Sequence, residues 1–174
     1  MITTEAMMKL QNGSDVRGVA IAGVPGEDVT LVPEAVNRIA AGFAKFLAKK
    51  LHKQTSDLRI AVGHDSRVSA GMMKEAVFGG LLGQGVHVTD CGLASTPAMF
   101  MFFEDTHMDG SIMITASHLP YNRNGLKFFT VDGGLEKGEV KEVLTLASQS
   151  SAMAVSSAAI ASLDLIDLYA LHLR

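Results

Sequence analysis

The segment TASHLPYNRNGLKFF, residues 115–129, combines the side chains in this sequence that are best suited to chemistry. It begins at the end of an apolar run and passes through a polar loop into another apolar run, which is typical of two strands joined at the edge of a sheet. Ser117 can expose its hydroxyl there, and successive loop N–H groups can form an anion-binding concavity. His118, Arg123 and Lys127 place further donors close by. The segment therefore indicates a hydroxyl that meets an anionic group.

Each of these residues also has an ordinary structural explanation. Serine is common where strands end, so composition alone favours a turn role for Ser117. A serine hydrolase is disfavoured, because G-x-S-x-G is absent and adjacent side chains of an extended segment project to opposite sides. Adjacency therefore does not set up a hydrogen bond between Ser117 and His118. A structural His118 that donates to a carbonyl, and an ordinary exposed Lys127, are the alternatives to catalytic roles.

Two earlier segments add charged residues near predicted strand ends. Arg17, in the segment DVRG, can supply a fixed positive charge, or it can pair with a carboxylate such as Asp15 or Asp65. The segment GHDSR, residues 63–67, follows another apolar run. We interpret Asp65 and Arg67 as residues that brace this loop and do not touch a substrate.

The order of the predicted elements explains how these residues can converge. Predicted strands cover residues 15–22, 58–63, 86–90, 111–116 and 126–131. Predicted helices cover residues 33–51, 69–81, 97–103 and 136–147. Strands alternate with helices, which predicts an α/β fold with three layers, α/β/α, around a mixed, mostly parallel sheet of about four to five strands. A site is then expected at the loops that follow the strands.

Composition restricts the class of protein. The 174 residues are 48% hydrophobic and carry 15 basic and 18 acidic side chains, a net charge of −3. This balance lacks the excess of positive charge that would attract nucleic acid or an anionic membrane, so neither is an expected partner. The single Cys91 excludes an intrachain disulfide and a cysteine-rich zinc site. Without a recognisable leader or apolar span, we expect a cytoplasmic protein, or an organellar one after removal of a transit peptide.

The motifs in this order resemble those of the α-D-phosphohexomutases, the phosphoglucomutase and phosphomannomutase superfamily. TASH, then Pro120, then NGLK at residues 124–127 are similar to the phosphoserine loop of that family's N-terminal domain. DVRG resembles the family's D-x-R-G motif, GHDSR its G-x-D-x-R loop, and Thr96-Pro97 the T-P before a short helix. Together these segments cover residues 12 to about 147.

The resemblance implies a reaction and a set of roles. Phosphorylated Ser117 would give its phosphoryl group to a hexose phosphate and take one back from the other position of the bisphosphate, which interconverts hexose 1-phosphate and hexose 6-phosphate of glucose or mannose. Arg17 and Lys127 would be the fixed cations, with Lys127 or His118 assisting proton transfer. Arg17, Ser117, Asn124 and Lys127 would bind the substrate or its phosphate.

The resemblance also implies cofactors and further chain. Mg²⁺ would take one ligand from the phosphate on Ser117, and glucose or mannose 1,6-bisphosphate would act as activator. The family's acidic magnesium motif, sugar-recognition motif and C-terminal phosphate loop belong to later domains and do not occur in this sequence, and Leu119 stands where the family commonly has Asn. We therefore expect the chain to be inactive by itself and to associate with those later domains of a longer parent.

The C-terminal part of the sequence predicts a domain boundary. Residues 1–147 would form domain I, the Ala- and Ser-rich residues 148–162 a linker, and residues 163–174 a helix that begins a second domain. A surface that normally faces other domains would then be exposed and would favour self-association. The alternative from another class is a naturally short, non-catalytic module of the same fold that binds phosphate or docks a partner.

Overall fold

The protein is organised around one mixed sheet covered by helices on both faces. The computed structural model describes residues 1–154 and 158–174. The strands are β1 Gln11–Asn12, β2 Asp15–Val19, β3 Arg59–His64, β4 His87–Leu93, β5 Gly110–Ile114, β6 Arg123–Thr130, β7 Gly133–Gly134 and β8 Ala161–Ser162. The helices are α1 Thr4–Met8, α2 Pro33–Leu51, α3 Ala70–Leu82, α4 Thr96–Met101, α5 Phe103–Thr106, α6 Lys137–Ser148 and α7 Leu165–His172, with a 3₁₀ turn at Thr55–Asp57.

The sheet confirms the predicted α/β class but is larger than predicted. Its order is β1-β2-β6-β5-β3-β4-β8, with β7 paired to β6. The expected four to five strands are eight in the described part of the chain, because β1, β7 and β8 have two residues each and are too short to leave a periodic pattern. The expectation of a mostly parallel sheet is also wrong, since three pairings are parallel and four antiparallel among the described strands.

The antiparallel half of the sheet follows from short connections. β5 and β6 are joined by a loop too short for a crossover helix, so β6 must run back beside β5. β2 then pairs antiparallel with the other side of β6. β3, β4 and β5 are parallel, and the connections between them contain α3 and α4. The loop after β5 therefore lies between the two halves of the sheet.

Two hydrophobic cores lie on the two faces of the sheet. On one face α2 packs between α3 and α6, and its Phe43 is fully buried with its ring centroid 4.8 Å from that of Phe128 in β6. Gly42 permits the close approach of α6, because a Cβ there would lie 2.6 Å from the carbonyl oxygen of Val143. On the other face Met99 of α4 and Met113 of β5 share a second core. This is the three-layer arrangement predicted from the sequence.

The bounds of α2 show how the sequence sets an element. Pro33 occupies the first turn, where its missing N–H has no partner to lose. Glu34 lies in the first turn and Lys49 and Lys50 in the last, which suits the helix dipole. The helix ends at Leu51, and the next residue, His52, has a left-handed φ of 53°. In the described part of the chain, no helix combines the length and the apolar composition needed to cross a membrane.

The C-terminal residues contact the rest of the fold where they are described. The predicted linker, residues 148–162, includes residues 155–157, which lie outside the described residues. Asn37 binds the backbone of Met153 in both directions, at 2.6 and 2.9 Å. β8 pairs with β4, and α7 packs against α4 through the buried Leu165. The division into domain, linker and following helix stays a prediction.

Candidate active site

Ser117 lies in the loop after β5 with its side chain exposed. Its φ of 55° is left-handed, a conformation that costs a residue with a side chain about 1–2 kcal/mol. Two contacts hold it there. Its N–H donates to Thr115 Oγ1 at 3.0 Å, and its carbonyl oxygen accepts from Arg67 Nη2 at 2.8 Å. The hydroxyl is therefore presented by a turn whose backbone is hydrogen-bonded on both sides of Ser117.

Arg67 binds the loop at several points. Nη1 donates to the carbonyl oxygens of Pro120 at 2.7 Å and Arg123 at 3.0 Å, and Nη2 donates to those of Ser117 and Leu119, both at 2.8 Å. Its Nε makes no hydrogen bond but lies 3.5 Å from Asp65 Oδ2, an ion-pair contact without hydrogen-bond alignment. Arg67 thus binds the loop backbone with both of its terminal nitrogens, while its Nε is buried and has no hydrogen-bond partner.

Arg17 and Lys127 meet at one carboxylate. Arg17 Nη2 lies 3.1 Å from Asp15 Oδ2, and Lys127 Nζ lies 3.1 Å from Asp15 Oδ1. The pairing of β2 with β6 explains this, because Val16 is opposite Leu126, which sets Asp15 beside Lys127 on one face. Arg17 Nη1 also donates to the carbonyl oxygen of Ala116 at 3.2 Å. The structure therefore brings both predicted cations together, with one of them bonded to the residue before Ser117.

Gly125 makes room for this arrangement. It lies opposite Arg17 in the strand pairing. A Cβ at this position would collide with the carbonyl oxygen of Val16 and would lie 3.0 Å from both Arg17 Cγ and the carbonyl oxygen of Thr115. The glycine of the NGLK motif is therefore needed for packing, since a side chain would push β6 away from its two neighbours.

His118 lies beside Ser117 and is exposed. Its Nδ1 is 3.5 Å from Ser117 Oγ, at the outer limit of a hydrogen bond. The prediction that adjacency does not set up this contact is wrong, because it assumed an extended segment. The left-handed φ of Ser117 turns the two side chains toward the same side.

Asn124 is not brought to the site. Its side chain is fully buried, with Nδ2 donating to Ser69 Oγ at 2.7 Å and Oδ1 accepting from the N–H of Gly125 at 2.8 Å. Asn124 and Lys127 are three residues apart in one strand, so they lie on opposite faces of the sheet. In this structure Asn124 supports the start of α3 and has no access to a phosphate beside Ser117.

Sequence reasoning missed a second support for the loop. Glu27 accepts from Asn122 Nδ2 at 2.7 Å and from Arg123 Nη2 at 3.1 Å. The hydrogen bond from Asn122 and then that from Arg123 lower the pKa of the Glu27 carboxyl below its usual 4.5. The residues around Gly26 predict only a turn. A turn sequence does not show which distant loop the turn will contact, so the contacts of Glu27 could not be predicted. Thr115 was likewise overlooked, although it precedes Ser117 by two residues.

The described residues do not assemble a complete metal site. No group of three His, Cys, Asp or Glu side chains in the described residues is arranged to hold a metal ion. Cys91 is buried, and burial raises the pKa of its thiol to about 12, so it is not a reactive thiolate. The residues described here do not fit a Mg²⁺ site on their own.

The arrangement as a whole suits phosphoryl transfer. The exposed Ser117 hydroxyl lies beside an imidazole, and the carbonyl oxygen of the preceding residue accepts from Arg17, which is linked to Lys127 through Asp15. Phosphoryl transfer depends mainly on positioning and on charge stabilisation. The protein is thus an α/β domain whose candidate site has groups suited to a phosphate.

Comparison with known proteins identifies the family. Residues 8–152 match the profile described as phosphoglucomutase/phosphomannomutase, alpha/beta/alpha domain I. The chain is 39% identical over 135 residues to a phosphoglucosamine mutase of Nautilia profundicola, covering 78% of this chain and 28% of that protein. It is 36% identical over 118 residues to a phosphoglucomutase/phosphomannomutase of Thermococcus kodakarensis, covering 67% and 25%. The chain therefore belongs to the phosphoglucomutase/phosphomannomutase family and carries its N-terminal domain, as the motifs predicted.

A solved structure agrees with the fold. A putative phosphomannomutase from Thermus thermophilus superposes with a TM-score of 0.71 at 26% identity, covering 92% of this chain and 34% of that chain. This chain thus spans about a third or less of the relatives it matches.

Proposed function

We propose that this chain is the nucleophile domain of a phosphohexomutase that interconverts the 1-phosphate and 6-phosphate of a hexose. Phosphorylated Ser117 gives its phosphoryl group to the free hydroxyl of the sugar phosphate, so the bond from Ser117 Oγ to phosphorus breaks and a bond to the sugar oxygen forms. The proton of that hydroxyl passes to a base. The second transfer runs in reverse from the other position of the bisphosphate and restores phosphoserine, so the net reaction is an isomerisation.

The observation that carries the proposal is the exposed Ser117 hydroxyl in a loop whose backbone is bonded to Arg17, which shares Asp15 with Lys127. Arg17 is bonded to the carbonyl of the residue before Ser117, so its charge is anchored within one residue of the nucleophile. Lys127 is linked to Arg17 through Asp15. Cations fixed in this way stabilise the transferring group without having to be ordered during the reaction.

Proton transfer is assigned to His118 in preference to Lys127. The imidazole is exposed and its Nδ1 lies 3.5 Å from Ser117 Oγ, so a modest rotation brings it into hydrogen-bond range. Lys127 is already bonded to Asp15 at 3.1 Å. In this proposal Lys127 therefore acts as a fixed charge, and His118 exchanges the proton with the serine or the sugar hydroxyl.

Most of the groups that would bind the proposed cofactors belong to further domains. Mg²⁺ would take one oxygen of the phosphate on Ser117 and its other ligands from further domains, and it would neutralise charge on the transferring group. A hexose 1,6-bisphosphate would act as activator by phosphorylating Ser117 when the phosphate has been lost. The residues of this chain contribute the nucleophile and the two fixed cations.

The substrate is proposed as a hexose phosphate in general. Glucose and mannose phosphates follow from the motif resemblance, and the names of the relatives add glucosamine phosphate. By the motif resemblance, the segments that distinguish these sugars would lie in later domains. The three sugar 1-phosphates should therefore be compared side by side in one assay.

The test is Ser117→Ala in the complete gene product, with any further domains that it encodes. We expect the loss of phosphorylation at residue 117, seen by intact mass, and a fall in mutase turnover of at least about a thousandfold, because the covalent route disappears. Ser56→Ala is the control, since Ser56 is exposed and lies at the opposite edge of the sheet, before β3. Near-normal turnover of Ser117→Ala would remove the nucleophile assignment. Turnover by the isolated 174-residue chain would contradict its proposed inactivity.

A further inference from the structure

The hydroxyl of Thr115 lies between a carboxylate and the backbone of Ser117. Thr115 follows β5 directly, and its N–H is bonded to the carbonyl oxygen of Gly125 at 3.0 Å, which fixes its backbone to β6. Its Oγ1 lies 2.7 Å from Asp65 Oδ2 and 3.0 Å from the backbone nitrogen of Ser117. One side-chain oxygen thus connects the end of β3 with the backbone of the proposed nucleophile.

The chemistry of the groups fixes the direction of these hydrogen bonds. A hydroxyl has one donor and two acceptor lone pairs, and an ionised carboxylate only accepts. Thr115 must therefore donate to Asp65, which leaves a lone pair for the N–H of Ser117. A valine at this position would have the same shape but would satisfy neither partner.

Asp65 is itself held in place. Its N–H donates to the carbonyl oxygen of Ile114 at 3.1 Å, across the parallel pairing of β3 with β5. Its Oδ1 accepts from the N–H of Arg67 at 3.1 Å, and Arg67 in turn binds the carbonyl oxygen of Ser117 at 2.8 Å. The N–H of Ser117 is thus linked to Asp65 through Thr115, and its carbonyl oxygen is bonded to Arg67. Residues 65–67 therefore hold the backbone of Ser117 on both sides.

We infer that Thr115 is a positioning residue, whose hydroxyl holds Ser117 in the left-handed conformation that presents Oγ for phosphoryl transfer. The inference rests on the proposed function of Ser117 as nucleophile. Thr115 acts through the backbone and does not contact the substrate. Its loss leaves Arg67 bonded to the carbonyl oxygen of Ser117 and the N–H of Leu119 bonded to the carbonyl oxygen of Ala116, so the loop stays attached while the restraint on the Ser117 amide is removed.

The first test needs no activity and uses the 174-residue chain. Amide hydrogen exchange of Ser117, followed by NMR, is compared in the unsubstituted chain, in Thr115→Ser and in Thr115→Val. We expect exchange in Thr115→Ser to stay close to that of the unsubstituted chain and exchange in Thr115→Val to be about tenfold or more faster, because only the serine keeps the acceptor. Thr115→Ala replaces Thr115→Val if the latter does not fold.

The second test measures the reaction in the complete gene product. We expect Thr115→Val to lower kcat about tenfold to a hundredfold, as a misplaced nucleophile does, with the KM for the sugar phosphate unchanged. Thr115→Ser should recover most of kcat. The value of kcat is calculated per folded protein, so a residue needed only for folding would lower the yield of folded enzyme and leave kcat unchanged.

The outcomes separate this inference from the proposed function. Equal exchange of the Ser117 amide in all three proteins overturns the positioning role, whatever the activity. Faster exchange in Thr115→Val with unchanged kcat also overturns it, since the restraint would then have no effect on transfer. Absence of any Ser117 phosphorylation in the unsubstituted gene product contradicts the proposed function, and the exchange comparison alone then decides whether Thr115 fixes the loop.

Discussion

At the scale of single residues, carboxylates organise the candidate site as much as cations do. Asp15 holds Arg17 and Lys127 within 3.1 Å of its two oxygens, and Asp65 orders Thr115 and the backbone of Arg67. The cations are thus oriented before an anion arrives. Little rotamer freedom then remains to be lost when a phosphate binds, which favours both affinity and transition-state stabilisation.

Asp15→Asn tests this role of the carboxylate. The side chain of Asp15 is 12% exposed, and those of Arg17 and Lys127 are 19% and 31% exposed. The amide keeps the shape but leaves two neighbouring cations without a counter-charge. We expect the free energy of unfolding at pH 7 to fall by about 1–3 kcal/mol, less than for a fully buried pair because water screens the cations. Urea denaturation measures it.

The control is Glu5→Gln. Glu5 pairs with Lys9 at 2.9 Å, but both side chains are largely exposed, so the loss should stay below about 0.5 kcal/mol. A loss for Asp15→Asn no larger than that of the control would mean that the two cations do not depend on Asp15.

Site residues that belong to a recognisable motif could be predicted from the sequence, and those that depend on a distant contact could not. The motif resemblance led to Ser117, Arg17 and Lys127, and in the structure Arg17 contacts both the residue before Ser117 and the carboxylate that binds Lys127. Asn124 was included only because it belongs to the same motif, although its spacing from Lys127 already puts it on the other face. Glu27 left no signal, because a contact between two distant loops depends on tertiary structure and not on local spacing.

At the scale of elements, long periodic segments were predicted well and short ones were not. The helix from Pro33 to Leu51 has the predicted bounds, since its apolar face repeats over many turns. α1 has five residues and β8 two, too few for a period to emerge. Their formation depends on partners elsewhere, β8 on the edge of β4 and α1 on the neighbouring α6.

The contact between α2 and α6 gives a pH-dependent prediction. Lys50 lies 3.1 Å from Glu139. Burial acts to raise the pKa of Glu139, but the N–H of Glu136 and the charge of Lys50 outweigh it, and the pKa lies below the usual 4.5. A lowered carboxyl pKa stabilises the fold above the unfolded pKa, and this contribution is lost as the pH falls through the folded value.

We therefore expect Glu139→Gln to lower the free energy of unfolding at pH 7 by about 0.5 kcal/mol, with the difference from the unsubstituted protein shrinking below about pH 4. Urea denaturation at several pH values measures this. The matched control is Glu75→Gln, an exposed carboxylate on α3, which should change stability little at any of these pH values. A difference for Glu139→Gln that is constant with pH would contradict an ionic contribution.

At the scale of the whole molecule, the two faces of the sheet have different partners. Helices α2, α3 and α6 form a continuous layer over the larger core. The other face is covered by α4 together with α7, which comes from the C-terminal segment. The sequence predicted residues 163–174 as the start of another domain, because the residues before them are small and supply few large side chains to a core. In the structure Leu165 is buried in the second core, a contact that the sequence pattern did not show.

Leu165→Ala tests whether α7 contributes to the stability of this domain. Leu165 is 1% exposed in the second core, whereas Leu171 on the same helix is 64% exposed. If α7 is held on the sheet, Leu165→Ala should lower the free energy of unfolding by about 2–3 kcal/mol, through lost burial and a cavity beside α4, and Leu171→Ala should change it by less than about 0.5 kcal/mol. Equal, small effects in urea denaturation would mean that α7 unfolds independently and that the domain ends before it.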